Sequence, residues 1–193
     1  MTRWLILVVA SLLGGCGYNQ LQSLDEQVKA SWSEVINQYQ RRADLVPNLV
    51  ATVKGAANFE QSTLTAVTEA RAKVGQVTSG AVENIARDPQ AFARFQQAQD
   101  GLSSALSRLM VVVERYPELK ATQNFRDLQA QLEGTENRIT VERMRFNEAA
   151  QGFNTKRNTF PTVLIAGFFG SKFQEKPYFK AQTGAEKAPE VKF

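Results

Sequence analysis

The sequence predicts an all-α protein, folded as an elongated antiparallel up-and-down bundle of three to four long helices. Apolar residues recur at spacings of three or four along most of the chain, as they do on the buried face of a helix. A row of large apolar residues in the last third of the chain repeats every seven positions, which is typical of helices packed in a left-handed bundle. Prolines fall where the periodicity is interrupted, so they indicate kinks or ends of helices.

The N-terminus has the parts of a bacterial secretion signal. Arg3 supplies a positive charge, and the run from Trp4 to Leu13 is apolar or small but only half as long as the roughly twenty residues of a membrane-spanning helix. The string Leu13-Gly14-Gly15-Cys16 is similar to a lipobox, in which a peptidase cuts before the cysteine and the sulfur carries diacylglycerol. We therefore expect residues 1–15 to be a lipoprotein signal peptide and Cys16 to be the lipidation site.

This signal predicts a membrane-anchored, extracytoplasmic protein of the cell envelope. Gly17 follows the cysteine in place of the aspartate typical of inner-membrane retention, which favours an outer-membrane lipoprotein. In the alternative, Cys16 is a free cysteine at the end of an uncleaved anchor, and the chain is a single-pass inner-membrane protein. Both interpretations attach the N-terminus to a membrane.

The first helical pattern is interrupted at Pro47. Proline removes a backbone donor and clashes with the preceding turn, so we expect the first helix to be kinked or broken there, with Asp44 capping a restart. The pattern then resumes and ends near Thr78-Ser79-Gly80. The apolar positions before and after the proline are Leu21, Leu24, Val28, Trp32, Val35, Tyr39, Val46, Leu49, Val53, Leu64, Val67, Ala70, Val74 and Val77.

Two further helices complete the predicted bundle. Asp88 followed by Pro89 is typical of an N-cap and the first helical residue, and Pro117 is expected to close that helix. The last long helix is expected to end at Pro161. Its heptad row, which we expect in the core, is Phe125, Leu132, Ile139, Phe146, Phe153 and Phe160.

The C-terminal segment 163–193 has a different composition, with aromatic residues among glycines and lysines. We expect it to be partly extended. One interpretation is a tail packed along the bundle. The other is a segment that touches the membrane or a partner through Phe168, Phe169 and Phe173.

The composition excludes several classes of site. Histidine is absent and Cys16 is the sole cysteine, which excludes imidazole bases, Ser-His or Cys-His pairs, internal disulfides and thiolate metal cages. The net charge of +4 without dense basic runs does not indicate a nucleic-acid binder. Glu133 and Glu136 have the spacing of an acid and base pair, but such carboxylates more often pair with arginines. We predict no catalytic site, metal or cofactor.

A polar cluster surrounds the predicted kink. Arg41, Arg42, Asp44 and Asn48 lie close in sequence to Pro47, and the last two of the four share a face if the helix continues. One hypothesis is a recognition site at the bend. The alternative, which we favour, is a network that satisfies the backbone groups exposed by the proline.

Several strings are similar to those of the LemA family. The similarity covers residues 18 to 180 and includes departures, since Phe146 and Phe153 stand where the family pattern often has tyrosine before asparagine. The strings that carry it are Ala30-Ser31-Trp32-Ser33, Arg41-Arg42-Ala43-Asp44-Leu45-Val46-Pro47-Asn48-Leu49-Val50, Glu114-Arg115-Tyr116-Pro117-Glu118-Leu119-Lys120-Ala121 and Leu132-Glu133-Gly134-Thr135-Glu136-Asn137-Arg138-Ile139.

The resemblance implies a LemA-like helical bundle at residues 16–162, bound to a bacterial membrane, with no generally assigned activity. It also implies a protein partner, for which a TPM-domain protein or a membrane zinc metallopeptidase is a candidate. The function expected is therefore that of a non-enzymatic envelope adaptor or scaffold. The alternatives are a structural or lipid-associated protein that contacts the bilayer through its tail, and a carboxylate-dependent cell-wall enzyme.

Overall fold

The computed structural model describes the backbone of residues 2–55, 60–80 and 82–180, with side chains from Gly17 onward except that of Glu83. The side chain of Cys16 and residues 181–193 of the predicted tail therefore lie outside the described part. Throughout the described part, all long regular elements are helices, so the predicted all-α fold is confirmed. The helices are α1 Thr2–Lys54, α2 Gln61–Thr78, α3 Val82–Ile85, α4 Pro89–Val113, α5 Pro117–Lys120, α6 Gln123–Asn158 and α7 Thr162–Phe168, followed by a 3-10 turn at Gly170–Phe173.

Four of these helices form the predicted up-and-down arrangement. The N-terminal half of α1 meets the C-terminal half of α6, and Arg42 further along α1 meets Glu136 further back along α6, so the two run antiparallel. The short connection between α2 and α4 likewise makes a hairpin of that pair. Helix α4 runs parallel to α1, because Trp32 contacts Phe92 while Arg42 contacts Gln99.

The buried apolar residues divide into two clusters along the bundle. The cluster between the four long helices contains Val46, Leu49, Val53, Leu64, Val67, Val74, Leu102, Leu106, Leu109, Val113, Leu119, Phe125 and Leu132. The cluster nearer the start of α1 is rich in aromatic residues and includes Leu21, Val28, Trp32, Val35, Tyr39, Phe92, Phe95, Ile139, Phe146, Phe153, Phe173 and Phe179. Helix α2 reaches this second cluster at its C-terminal end, through Val77, and the segment after α7 adds Phe173 and Phe179 to it.

The first helix is not broken at Pro47. Helix α1 passes through the proline and continues to Lys54, and the chain leaves helical conformation only at Gly55. Asp44 therefore lies inside α1, where its carboxylate accepts a hydrogen bond from Gln40, and it does not cap a restart. A break would have ended α1 at Pro47, whereas the helix ends seven residues later, at Lys54.

The other helix boundaries are close to those predicted. Asp88 caps α4 by accepting a hydrogen bond from the backbone N–H of Gln90, with Pro89 as the first helical residue. The heptad row is buried except at its last member. Helix α6 ends at Asn158, two residues before Phe160, so the ring of Phe160 leaves the helical row and is exposed.

Candidate functional site

The polar cluster predicted around Pro47 is divided between two faces of α1. Arg41, Asp44, Pro47 and Asn48 are not buried, whereas Arg42 is almost completely buried. Since α1 continues as a helix, residues one or two positions apart necessarily point in different directions. The structure therefore does not bring the five predicted residues together at one site.

Arg42 is the centre of a buried polar network that joins three helices. Its Nη2 donates to the side-chain and main-chain oxygens of Gln99, at 2.6 and 3.1 Å. Its Nη1 donates to the hydroxyl of Ser103 at 2.6 Å and to the carboxylate of Glu136 at 2.8 Å. A buried guanidinium is tolerated only with such partners. This network fixes α1, α4 and α6 at one level of the bundle.

The backbone group freed by Pro47 is satisfied from another helix. Pro47 has no N–H, so the carbonyl of Ala43, four residues earlier, lacks its usual helical donor. Arg71 on α2 supplies that donor through its Nε, at 3.0 Å from the Ala43 oxygen. The donor is thus a distant arginine, whereas the favoured hypothesis expected a network among the neighbours of the proline.

The two glutamates considered for catalysis have separate roles. Glu136 is paired with the buried Arg42, while Glu133 is exposed and accepts a hydrogen bond from Gln129 at 2.9 Å. Both line a shallow groove between α4 and α6. Within the described residues, no three His, Cys, Asp or Glu side chains are grouped so that they would hold a metal ion.

Residues 174–180, here named the strap, lie along α6. Two asparagines on α6 hold the strap through paired hydrogen bonds. Asn154 donates to the carbonyl of Lys176 and accepts from its N–H, at 2.9 and 2.8 Å. Asn147, seven residues earlier, makes the same pair with Phe179, at 3.0 and 2.9 Å. Each asparagine thus satisfies one residue of extended backbone, an arrangement that was not predicted from the sequence.

The strap also supplies a ring to the aromatic core. The Phe179 ring lies 4.7 Å from that of Phe92, 5.5 Å from that of Phe146 and 6.1 Å from that of Trp32. Aromatic pairs at these separations stabilise beyond the area they bury. The alternative of a tail packed along the bundle therefore describes residues 174–180.

A buried ion pair links the strap to α1. The ammonium of Lys176 lies 2.5 Å from the carboxylate of Asp25, and both side chains are 2% exposed. Lys29 and Arg87 approach the same carboxylate at 3.1 and 3.6 Å. Burial raises the pKa of Asp25, but the hydrogen bonds and charges of Lys176 and Lys29 outweigh it and hold that pKa below its usual value. Burial lowers the pKa of Lys176.

The three phenylalanines predicted to touch a membrane or partner occupy different environments. Phe173 is completely buried, with its ring near those of Tyr18 and Phe153, so it belongs to the core. Phe168 and Phe169 are exposed at the end of α7. The prediction of a contact surface is therefore restricted to the outer side of α7 and its flanks.

In the part of the chain that the structure describes, none of the helices combines the length and apolar character needed to cross a membrane. The lipidation predicted at Cys16 remains a prediction, since that side chain lies outside the described part.

Comparison with known proteins identifies the family. Two magnetosome proteins of Paramagnetospirillum magneticum, MamQ 1 and MamQ 2, are each 28% identical over 190 residues, which cover 89% of this chain and 69% of theirs. Protein LemA of Metamycoplasma hominis is 26% identical over 148 residues, which cover 77% of this chain and 59% of that protein. The family model described as the LemA family matches residues 31–193, most of the sequence. The chain therefore belongs to the LemA family.

Proposed function

We propose that this protein is a non-enzymatic envelope protein, held at a membrane by its N-terminus, that presents its helical bundle to a protein partner. The observation that carries the proposal is the continuity of α1. This helix is continuous from Thr2 to Lys54, so Cys16 lies on the same helix as the bundle residues of α1. Attachment through a lipid at Cys16, or through the uncleaved apolar run before it, would therefore hold the bundle by this end of α1.

The same geometry suggests where a partner would bind. From Gly17 to the end of α1 the helix extends about 55 Å, at 1.5 Å per residue. Val111, near the end of the parallel helix α4, is 71% exposed at the far end of the bundle. Along the side, exposed Met144 and Tyr178 border a groove between α6 and the strap. Both surfaces are candidates for the contact.

The polar networks support an adaptor more than an enzyme. Arg42 and Glu136 neutralise each other, and the buried Asp25 is surrounded by three cations. These charges are used in holding helices together, so they are poorly suited to receive protons from a substrate. The partner chemistry remains that implied by the family resemblance, a TPM-domain protein or a membrane zinc metallopeptidase.

Site-specific photo-cross-linking in cells tests this proposal. A photoreactive residue is placed at Val111 or at Met144, and adducts are identified by mass spectrometry. The same positions are tested in a Cys16→Ser chain exported by a non-lipoprotein signal, and at Arg41 as an exposed position outside both surfaces. We expect one membrane or envelope protein captured from a single surface of the anchored chain. The proposal fails if all positions, with and without the anchor, capture the same proteins or none.

A further inference from the structure

Helix α7 is apolar on its outer side as well as on the side that packs against the bundle. Thr162 and Ala166 are buried, whereas Leu164 and Phe168, one turn apart, are 66% and 86% exposed. The outer side of a surface helix is normally polar. Packing within the described chain therefore does not account for these residues. Together with their exposed apolar neighbours they form a surface that we name the α7 patch, which consists of Phe160, Val163, Leu164, Phe168 and Phe169.

The α7 patch lies beside the point where α1 enters the bundle. Gly17 contacts the inner side of α7 so closely that a methyl group at this position would lie 2.7 Å from Cδ1 of Ile165. Gly17 directly follows Cys16, the predicted lipidation site. Helix α1 also continues backwards from Gly17 through the apolar run Trp4 to Leu13. Either kind of membrane attachment thus begins next to α7.

A tyrosine and a lysine border the patch on the side of the bundle. The ring of Tyr18 lies 5.0 Å from that of Phe169. The ammonium of Lys172 donates to the Tyr18 hydroxyl at 2.5 Å and lies 4.9 Å from the centre of its ring. Tyrosine and lysine are typical of the boundary between hydrocarbon and water, because each combines an apolar body with a polar end.

We infer that the α7 patch inserts into the surface of the lipid bilayer that holds the N-terminus. The bundle then stands on the membrane by this end, with the α5 end farthest from it. This inference rests on the proposed membrane attachment and adds to it a second, non-covalent contact that fixes the orientation of the bundle. Two contacts orient a rod, whereas a single lipid leaves it free to tilt.

The other possible covers of the patch are less well matched to it. Residues 181–193 are mostly small or charged, and Val191 and Phe193 are their large apolar side chains. A second copy of the chain could cover the patch only by packing directly beside the membrane attachment of the first copy. The bilayer, by contrast, is already placed at Gly17 by the attachment itself.

Tryptophan quenching in vesicles tests the inference. The full chain, carrying Trp4→Phe, is reconstituted into phosphatidylcholine and phosphatidylglycerol vesicles, and flotation verifies the attachment. A tryptophan is introduced by Phe168→Trp or Leu164→Trp in the α7 patch, or by Val111→Trp as an exposed control at the far end. Brominated phosphatidylcholine quenches tryptophans in the bilayer, and iodide quenches those in water. The parent with Trp32 alone gives the background.

We expect the tryptophans of Phe168→Trp and Leu164→Trp to lose most of their added emission to brominated lipid and little to iodide. The tryptophan of Val111→Trp should behave in the opposite way. Quenching of the patch tryptophans by iodide alone would place them in water and overturn the inference. Quenching by neither agent would mean that residues 181–193 or a second copy covers the patch, and would overturn it as well.

The same experiment separates this inference from the proposed attachment. A chain that floats with the vesicles, but keeps its patch tryptophans away from brominated lipid, leaves the attachment intact and removes only the α7 contact. A chain that does not float overturns both. Since Leu164 and Phe168 are exposed, their replacement is not expected to disturb the fold, which circular dichroism verifies.

Discussion

Arg71 Nε donates a hydrogen bond of 3.0 Å to the carbonyl oxygen of Ala43, the oxygen that Pro47 deprives of its helical partner. A proline inside a helix is normally destabilising because it leaves a carbonyl unsatisfied and crowds the preceding turn. Here a neighbouring helix supplies the missing donor. The proline and the arginine are thus coupled although they lie 24 positions apart in the sequence.

This coupling predicts the outcome of a double-mutant cycle. Arg71→Met keeps most of the apolar stem but removes the donor, and should destabilise the protein by about 1 kcal/mol. In a Pro47→Ala background, residue 47 has its own N–H for the Ala43 oxygen, so the same substitution should cost clearly less. Urea denaturation followed by circular dichroism measures both costs. Equal costs in the two backgrounds would contradict the coupling.

Two adjacent arginines should differ greatly in their effect on stability. Arg42→Met breaks the buried network with Gln99, Ser103 and Glu136, and should lower the free energy of unfolding by about 3 kcal/mol. Arg41→Met is the matched control, because that side chain is exposed, and its effect should stay within about 0.5 kcal/mol. Thermal or urea denaturation compares the two. Similar losses from both substitutions would show that Arg42 is not a structural centre.

The ion pair between Asp25 and Lys176 should give a pH-dependent contribution to stability. The pKa of Asp25 lies below its usual 3.8 in the folded protein, so folding favours the carboxylate. The stabilising contribution of Asp25 is therefore fully present above the pKa of the unfolded chain, the usual 3.8, and is lost as the pH falls through the lower pKa of the folded protein. At pH 7, Asp25→Asn leaves Lys176 buried without its carboxylate and should cost about 3 kcal/mol.

The measurement is the difference in unfolding free energy between wild type and Asp25→Asn as a function of pH. This difference should shrink in acid, because the wild type then also carries a neutral side chain at position 25. Asp44→Asn, at a solvent-accessible position of the same helix, serves as the control. A difference that stays constant from neutral pH to well below the usual pKa would exclude the assigned role of the carboxylate.

The strap should loosen when one of its asparagine clamps is removed. Asn154→Ala loses two hydrogen bonds to the backbone of Lys176, one as donor and one as acceptor. We expect a loss of about 2 kcal/mol, together with faster hydrogen exchange of the amides in residues 174–180. Asn137→Ala, on the exposed side of the same helix, should leave both quantities nearly unchanged. Unchanged exchange in Asn154→Ala would contradict the role of this clamp and would leave the strap to Asn147, the ion pair of Lys176 with Asp25 and the aromatic contacts.

The sequence allowed the helices to be predicted more reliably than the polar contacts. Apolar periodicity identified the buried members of the heptad row from Phe125 to Phe153, because helical spacing alone decides which side chains share a face. It placed Phe160 in the same row by extrapolation, which was wrong because α6 ends at Asn158. The end of a helix depends on capping and on the residues beyond it, and periodicity carries little information about either.

The sequence contains a repeat at the two asparagines that hold the strap. Asparagine follows a buried phenylalanine at positions 147 and 154. These positions are seven residues apart, so the two asparagines lie in one row of α6, next to the row of buried rings. This repeat indicates that another segment of the chain contacts α6 along the row of asparagines. It did not indicate the identity of the partner, since nothing local to α6 points to Lys176 and Phe179.

The sequence by itself determined the fold class, the helix-forming segments and most of the apolar core, since these depend on periodicity within each helix. The tertiary structure decided how charges and backbone groups are paired. Asp25 with Lys176, Arg42 with Glu136 and Arg71 with Ala43 each join segments far apart in the chain. Hydrogen bonds and ion pairs depend on distances of a few ångströms between such segments, and those distances exist only once the helices have packed.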